Sequence, residues 1–149
     1  MEARLLHGAF DPAAELARFT APGAGAIVSF TGLARDRTRD GEPVTGLFLD
    51  HHPRLTRMSL DEAAQEAASR FDLAAVTVLH RCGKIAPGEP IVFVAAAAAH
   101  RRAAFDAVDY LMDRLKTQAV FWKREDKAGG SAWIEPTEDD HAARARWSD

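Results

Sequence analysis

HRRAAFDAVDYLMDRLKTQAVFWKRED (residues 100–126) decides the architecture, because the hydrophobic period changes inside it. From His100 to Lys116 the apolar residues Ala104, Ala107, Val108, Leu111, Met112 and Leu115 recur at helical spacing and share one face. From Ala119 onward AVFWKRE reads as a strand, which puts Phe121, Lys123 and Glu125 on one face and Trp122 and Arg124 on the other. A long helix therefore feeds a strand, and Lys116 and Lys123 flank the apolar run between them. Either these two cations keep a hydrophobic segment soluble, or they converge on an anion.

Working outward, AVFWKRE is followed by a DKAGGS turn and a hairpin partner, SAWIE. Thr137 with Asp140 then has the spacing of a capping box that opens a terminal helix. On the amino-terminal side, ARLLH (3–7) is a short strand, Asp11-Pro12 starts a short helix to about Phe19, and AIVSFTGLA is an apolar strand. VTGLFLDHH (44–52) is another strand, and Leu60, Ala63, Ala64, Ala67 and Phe71 mark an amphipathic helix over 54–71. AAVTVLHRC, an APGEP turn and IVFVAAAAA complete the series. The order βαββαββαββα does not alternate strictly, so an α+β domain with largely antiparallel sheet is expected. No GxGxxG or Walker A loop opens either long helix, which argues against nucleotide binding.

With 149 residues, 47% of them hydrophobic, the chain suits a single domain over residues 1–149. A formal charge of -3 provides no global basic field, so neither nucleic acid nor a membrane surface is an expected partner, and any anion site must be local. No apolar run approaches the roughly 20 residues of a membrane span. The first residues lack signal-peptide regions, and one cysteine fits a reducing compartment; a cytoplasmic protein is expected.

The candidate chemistry is cationic. His100 and Arg101 stand at a helix start, where free amides and the dipole favour a phosphate or carboxylate, although a solvated first turn explains them equally well. Lys116 at the other end also stabilises its own helix. Lys123 beside Phe121 is either at a pocket edge or at a solvated rim; in partly apolar surroundings it acts as a base or nucleophile, or holds an anion, with Glu125 to orient it. Arg35, after FTGLA, is a further candidate anion clamp, although Arg37 and Arg39 beside it fit a merely solvated loop equally well. His51 and His52 face opposite sides of a strand and do not share a metal, so no metal site is expected. Cys82, near His80 and Arg81, reads as a small buried hydrophobe ahead of a reactive thiolate.

FTGLAR (30–35), LDHHP (49–53), VTVLHRCGKIAPGE (76–89), AHRRAAF (99–105) and LMDRLKTQAVFWKRE (111–125), in this order and spacing, resemble the catalytic (large) subunit of molybdopterin synthase, the MoaE family. The resemblance runs over roughly residues 22 to 147. It implies an α/β-hammerhead with an additional antiparallel β subdomain, a homodimer, and a small ubiquitin-like (MoaD-like) subunit at each outer end of a heterotetramer. It further implies sulfur transfer from a Gly-Gly thiocarboxylate tail to cyclic pyranopterin monophosphate, forming the molybdopterin dithiolene, with no cofactor. On this resemblance Lys116 is the catalytic residue and Lys123 its partner near the tail. Arg35, His100 and Arg101 hold the substrate and its phosphate, Phe30 and Met112 line the pocket, and Phe121 and Glu125 attend the tail. Some relatives carry a basic residue after the tryptophan that acts across the dimer; IEPTE has none, which leaves Arg144 or Arg146 as stand-ins. The competing class is a non-catalytic module that grips the C-terminal tail of a ubiquitin-like partner and uses the lysines only for its carboxylate.

Overall fold

The computed structural model describes residues 1–148. Its elements are β1 (Glu2–Leu6), α1 (Pro12–Arg18), β2 (Ala26–Leu33), β3 (Gly46–His51), α2 (Pro53–Arg70), β4 (Ala75–Arg81), β5 (Gly83–Ile85), β6 (Pro90–Ala98), α3 (Arg101–Thr117), β7 (Phe121–Lys127), β8 (Gly130–Ile134) and α4 (Glu138–Ala145). The α+β reading holds, with one strand added: β5, of three residues, lies between the expected AAVTVLHRC strand and the APGEP turn. Gly83 opens it at φ +84°, a conformation that costs glycine little and other residues more.

Two four-stranded sheets divide the chain. The first runs β1-β4-β6-β2, with β1 parallel to β4 and the other pairs antiparallel. The second, the additional antiparallel subdomain, runs β5-β3-β7-β8. Strand β6 reads as unbroken apolar sequence because both its faces are covered. Val92, Val94 and Ala96 join the main core beneath α2 and α3, while Phe93 and Ala95 meet Leu79, Phe10 and Phe19 on the other side.

Helix α3 buries Ala104, Ala107, Val108, Leu111 and Leu115, as its periodicity predicts, and adds Tyr110. The Tyr110 hydroxyl accepts a hydrogen bond from Arg114 Nη1 at 3.0 Å, so the ring enters the core with its polar end satisfied. Met112 is half-buried at the rim of this core. His52, expected to end a strand, instead caps α2: its Nδ1 accepts from the Leu55 amide at 3.1 Å. The same helix then fixes the start of β7. Buried Thr56 donates to the Val120 carbonyl, and the Val120 amide donates to Ser59 Oγ at 3.2 Å. The short link between Lys116 and Lys123 is thereby clamped to α2 and not left to swing.

The capping box of α4 is present in full. The Asp140 amide donates to Thr137 Oγ1 (3.1 Å), and the Thr137 amide donates to Asp140 Oδ2 (2.9 Å). Beyond the helix, Trp147 packs edge-on against Phe71 and Tyr110 and donates from Nε1 to Asp113 at 2.7 Å. This latch holds the carboxy-terminal segment against α3.

Close approach of β2 to β6 depends on Gly25, whose amide donates to the Ala98 carbonyl at 3.0 Å. A Cβ there would lie 2.2 Å from the Ala99 carbonyl oxygen, which is backbone and has no rotamer to yield. Gly25→Ala is expected to lower unfolding free energy by about 1–3 kcal/mol in urea titrations. Gly8→Ala, which meets nothing within 4 Å, should show no such overpacking loss.

Candidate functional site: a cation cluster at the α3–β7 junction

The β3–β7 ladder sets the face of β7. Leu47 pairs with Glu125, Leu49 with Lys123 and His51 with Phe121. Leu47 and Leu49 are buried with Ala34 and Ile85 in a small core, and Phe121 packs against this core as well as the main one. Phe121, Lys123 and Glu125 therefore share the inward face, as alternation predicts. The opposite face carries Arg124, whose guanidinium lies over Phe48 (4.8 Å) and Trp133 (5.8 Å).

Solvent reaches the Lys123 side chain, but the surrounding protein desolvates its ammonium enough to lower the pKa from the usual lysine value. Glu125 acts against this shift, the positive charges of Arg35 and Lys116 reinforce it, and Asp140 opposes it. Arg35, Lys116 and Lys123 thus stand within one electrostatic neighbourhood although they come from three segments. Arg35 follows buried Ala34, whose amide donates to Glu89 O and whose carbonyl accepts from the Gly88 amide, both at 2.8 Å. Those bonds tie the Arg35 backbone to the β5–β6 turn, and Arg35 lines an open cleft of about 690 Å³ together with Arg37 and Arg39.

Lys116 lies exposed in the last turn of α3, with Nζ 3.5 Å from Asp140 Oδ1. One oxygen of Asp140 caps α4 while the other faces the lysine. Burial acts to raise the Asp140 pKa, but the hydrogen bonds from Thr137 and the charge of Lys116 hold the carboxyl below its usual range.

His80, on β4, lies against the same cluster, and the sequence reads it only as a neighbour of Cys82. It is buried and stacks on Phe121, with ring centroids 4.1 Å apart and planes at 26°. Its Nδ1 lies 2.9 Å from the Arg81 carbonyl, which only accepts, so the neutral ring carries its proton on Nδ1. Burial lowers its pKa to about 4, against the opposing Arg81 hydrogen bond and aided by the charge on Lys123. A neutral imidazole thus braces Phe121 without adding a further charge to the cluster.

The structure does not bring every expected residue together. His100 is the N-cap of α3 and Arg101 its first residue, both exposed, and about 22 Å of helix separates Arg101 from Lys116. Within one chain these two cannot bind the same small anion as Lys116. Phe30, 41% exposed, shares a face of β2 with Val28, which packs on the core shared by α3. Arg146, a suggested stand-in for the missing basic residue, is engaged by Asp109 (2.6 Å) and Asp113 (2.9 Å). Arg144 donates to Gln118 at 3.3 Å. Cys82 is buried as expected, and burial pushes its thiol pKa up, which is contrary to a reactive thiolate.

Fold and site together define an α+β protein with a polycationic site where a helix hands over to an inward-facing strand. The family model described as MoaE protein matches residues 5–118, and the chain belongs to the MoaE family. It is 48% identical over 151 residues to the molybdopterin synthase catalytic subunit of Pseudomonas aeruginosa, covering 100% of both chains. The corresponding Escherichia coli protein is 46% identical over 123 residues, 83% of this chain and 81% of that one. Among solved structures, the molybdopterin biosynthesis MoaE protein from Burkholderia ambifaria superposes with a TM-score of 0.81 at 38% identity, covering 98% of this chain and 97% of that one. No helix among the described residues is long and apolar enough to cross a membrane.

Two titrations check the electrostatics. Removing a neighbouring positive charge favours a protonated lysine, so Lys116→Ala and Arg35→Ala should each raise the Lys123 pKa in ¹³C-lysine NMR, while Glu125→Gln should lower it. Because the His80 pKa is depressed on folding, its stabilising contribution is complete above pH 6.5 and is lost as pH falls through about 4. Urea unfolding at pH 7 and pH 4 should differ by up to about 3 kcal/mol from this residue, and His80→Gln should remove that part.

Proposed function

We propose that the chain is the sulfur-transferring subunit of a molybdopterin synthase. It accepts the C-terminal thiocarboxylate of a small ubiquitin-like protein and delivers that sulfur to cyclic pyranopterin monophosphate, two transfers completing the dithiolene. The observation that supports this reading best is that the positive charges of Arg35 and Lys116 both act on Lys123, which is itself partly desolvated. Both reactants are anions, one at the thiocarboxylate and one at the phosphate. Bringing them together costs Coulombic repulsion, which fixed cations offset more strongly where water is displaced.

In this account Lys116 touches the reacting atoms, since it is exposed and projects from a clamped helix end. An incoming thiocarboxylate would compete with Asp140 for its ammonium. Lys123, kept on the inward face by the β3 ladder, steadies the tail, with Glu125 beside it. Phe121, backed by His80, provides an apolar wall. After sulfur leaves, the acyl carbon ends as a carboxylate, so water must supply an oxygen at this site.

The separation along α3 bears on the assembly. His100 and Arg101 can serve the same substrate as Lys116 only if they come from a second copy, so a homodimer is part of the proposal. The substrate phosphate would then be shared between the start of one α3 and the end of the other.

Reconstitution with a thiocarboxylated ubiquitin-like partner and the cyclic precursor tests the reading. Product should require the partner, and Lys116→Ala should lower kcat about 10²–10³-fold while leaving partner affinity intact. Product formed without the partner, or full turnover by Lys116→Ala, would contradict it. Lost binding by that variant, with no turnover from the unsubstituted chain, would favour a tail-binding module instead.

A further inference from the structure

His7, His51 and Cys82 are remote in sequence and meet in space. Cys82 Sγ lies 3.3 Å from His7 Nδ1 and 3.9 Å from His51 Nε2, and one donor atom from each residue falls within 4.8 Å of the others. The two imidazoles stand edge to face, with centroids 5.2 Å apart. His51 and His52 do diverge, as strand geometry requires, but the divergence frees His51 to meet partners from two other strands.

We propose that these three side chains form a zinc site with one open coordination position. A thiolate with two imidazoles is a borderline-soft donor set suited to zinc, whereas magnesium and calcium require oxygen. Zinc–sulfur and zinc–nitrogen bonds of about 2.3 and 2.05 Å in a tetrahedron place sulfur and nitrogen about 3.6 Å apart. The two observed sulfur–nitrogen distances bracket that value. Binding replaces the Cys82 S–H bond with an S–Zn bond and releases the proton to solvent.

The surroundings set up the donors. The Cys82 amide donates to the Leu6 carbonyl at 2.8 Å, which fixes the thiol relative to the residue preceding His7. Gly83, at φ +84°, turns the chain immediately after the cysteine. Cys82 is buried, His51 is half-buried and His7 is exposed, so the fourth position faces water. His7 follows β1 and Cys82 follows β4, both of the first sheet, while His51 ends β3 of the second. A bound ion therefore staples the two sheets beside Phe121, the ladder partner of His51. This site is separate from the cation cluster and does not depend on the proposed sulfur transfer.

The test uses the full chain, stripped of metal by a chelator and titrated with Co(II), then with Zn(II). One Co(II) per chain should give a near-ultraviolet thiolate charge-transfer band and visible bands of tetrahedral intensity, both abolished by Zn(II). Cys82→Ala should remove the charge-transfer band. His7→Ala and His51→Ala should each weaken binding by more than the roughly 10–100-fold typical of groups that merely support a ligand. His141→Ala should bind as the unsubstituted chain does. Because His7 is exposed, its variant keeps the fold, which far-ultraviolet circular dichroism verifies independently of Cys82. Absence of the charge-transfer band, or unchanged affinity in folded His7→Ala, would overturn the proposal.

Discussion

The positive charges of Arg35 and Lys116 both act against the ammonium of Lys123, and the fold nonetheless keeps Lys123 within their reach. Like charges in a partly desolvated region raise the free energy of the folded chain, so their arrangement has to be enforced by contacts elsewhere. Thr56 and Ser59 clamp the link that joins α3 to β7, Leu47 and Leu49 fix the face of β7, and buried Ala34 ties down the start of the Arg35 loop. Asp140 and Glu125 offset part of the repulsion. An anion entering this region gains an interaction that was prepared when the chain folded, which is how electrostatic preorganisation favours a charged transition state. His80 fits the same economy of charge: its burial keeps the imidazole neutral beside Lys123, so it supports Phe121 without adding repulsion.

Much of this frame is legible in the sequence where the signal is local. The 3.6-residue period exposed α3, two-residue alternation gave the shared face of Phe121, Lys123 and Glu125, and Thr137 with Asp140 announced the capping box. Each depends on residues within a few positions of one another, so one chain segment contains the whole signal.

What was not legible depends on pairings across the sheets. Strand β5 has only three residues and opens on glycine, too short for a period to register. His80 required knowledge that Phe121 lies against it. Cys82 and His7 are 75 positions apart, and neither has a metal-binding spacing with a neighbour. His52 looked like the end of a strand because side-chain capping by histidine has no strong sequence signature. The role of Asp140 beyond its cap was hidden because the β7–β8 hairpin separates it from Lys116 in the sequence.

The length of α3 is the constraint with the widest reach. A rigid helix of 17 residues places His100 and Arg101 at one end and Lys116 at the other, so the proposed site draws on two copies of the chain or else does without the first pair. Complementation between inactive chains tests this most directly. Lys116→Ala and Arg101→Ala chains are mixed, allowed to exchange subunits, and assayed with the thiocarboxylated partner. In a mixed dimer one site receives both defects and the other receives neither, so random exchange should restore about one quarter of the unsubstituted activity. No recovery in verified mixed dimers, with each parent inactive and folded, would contradict a site shared between copies.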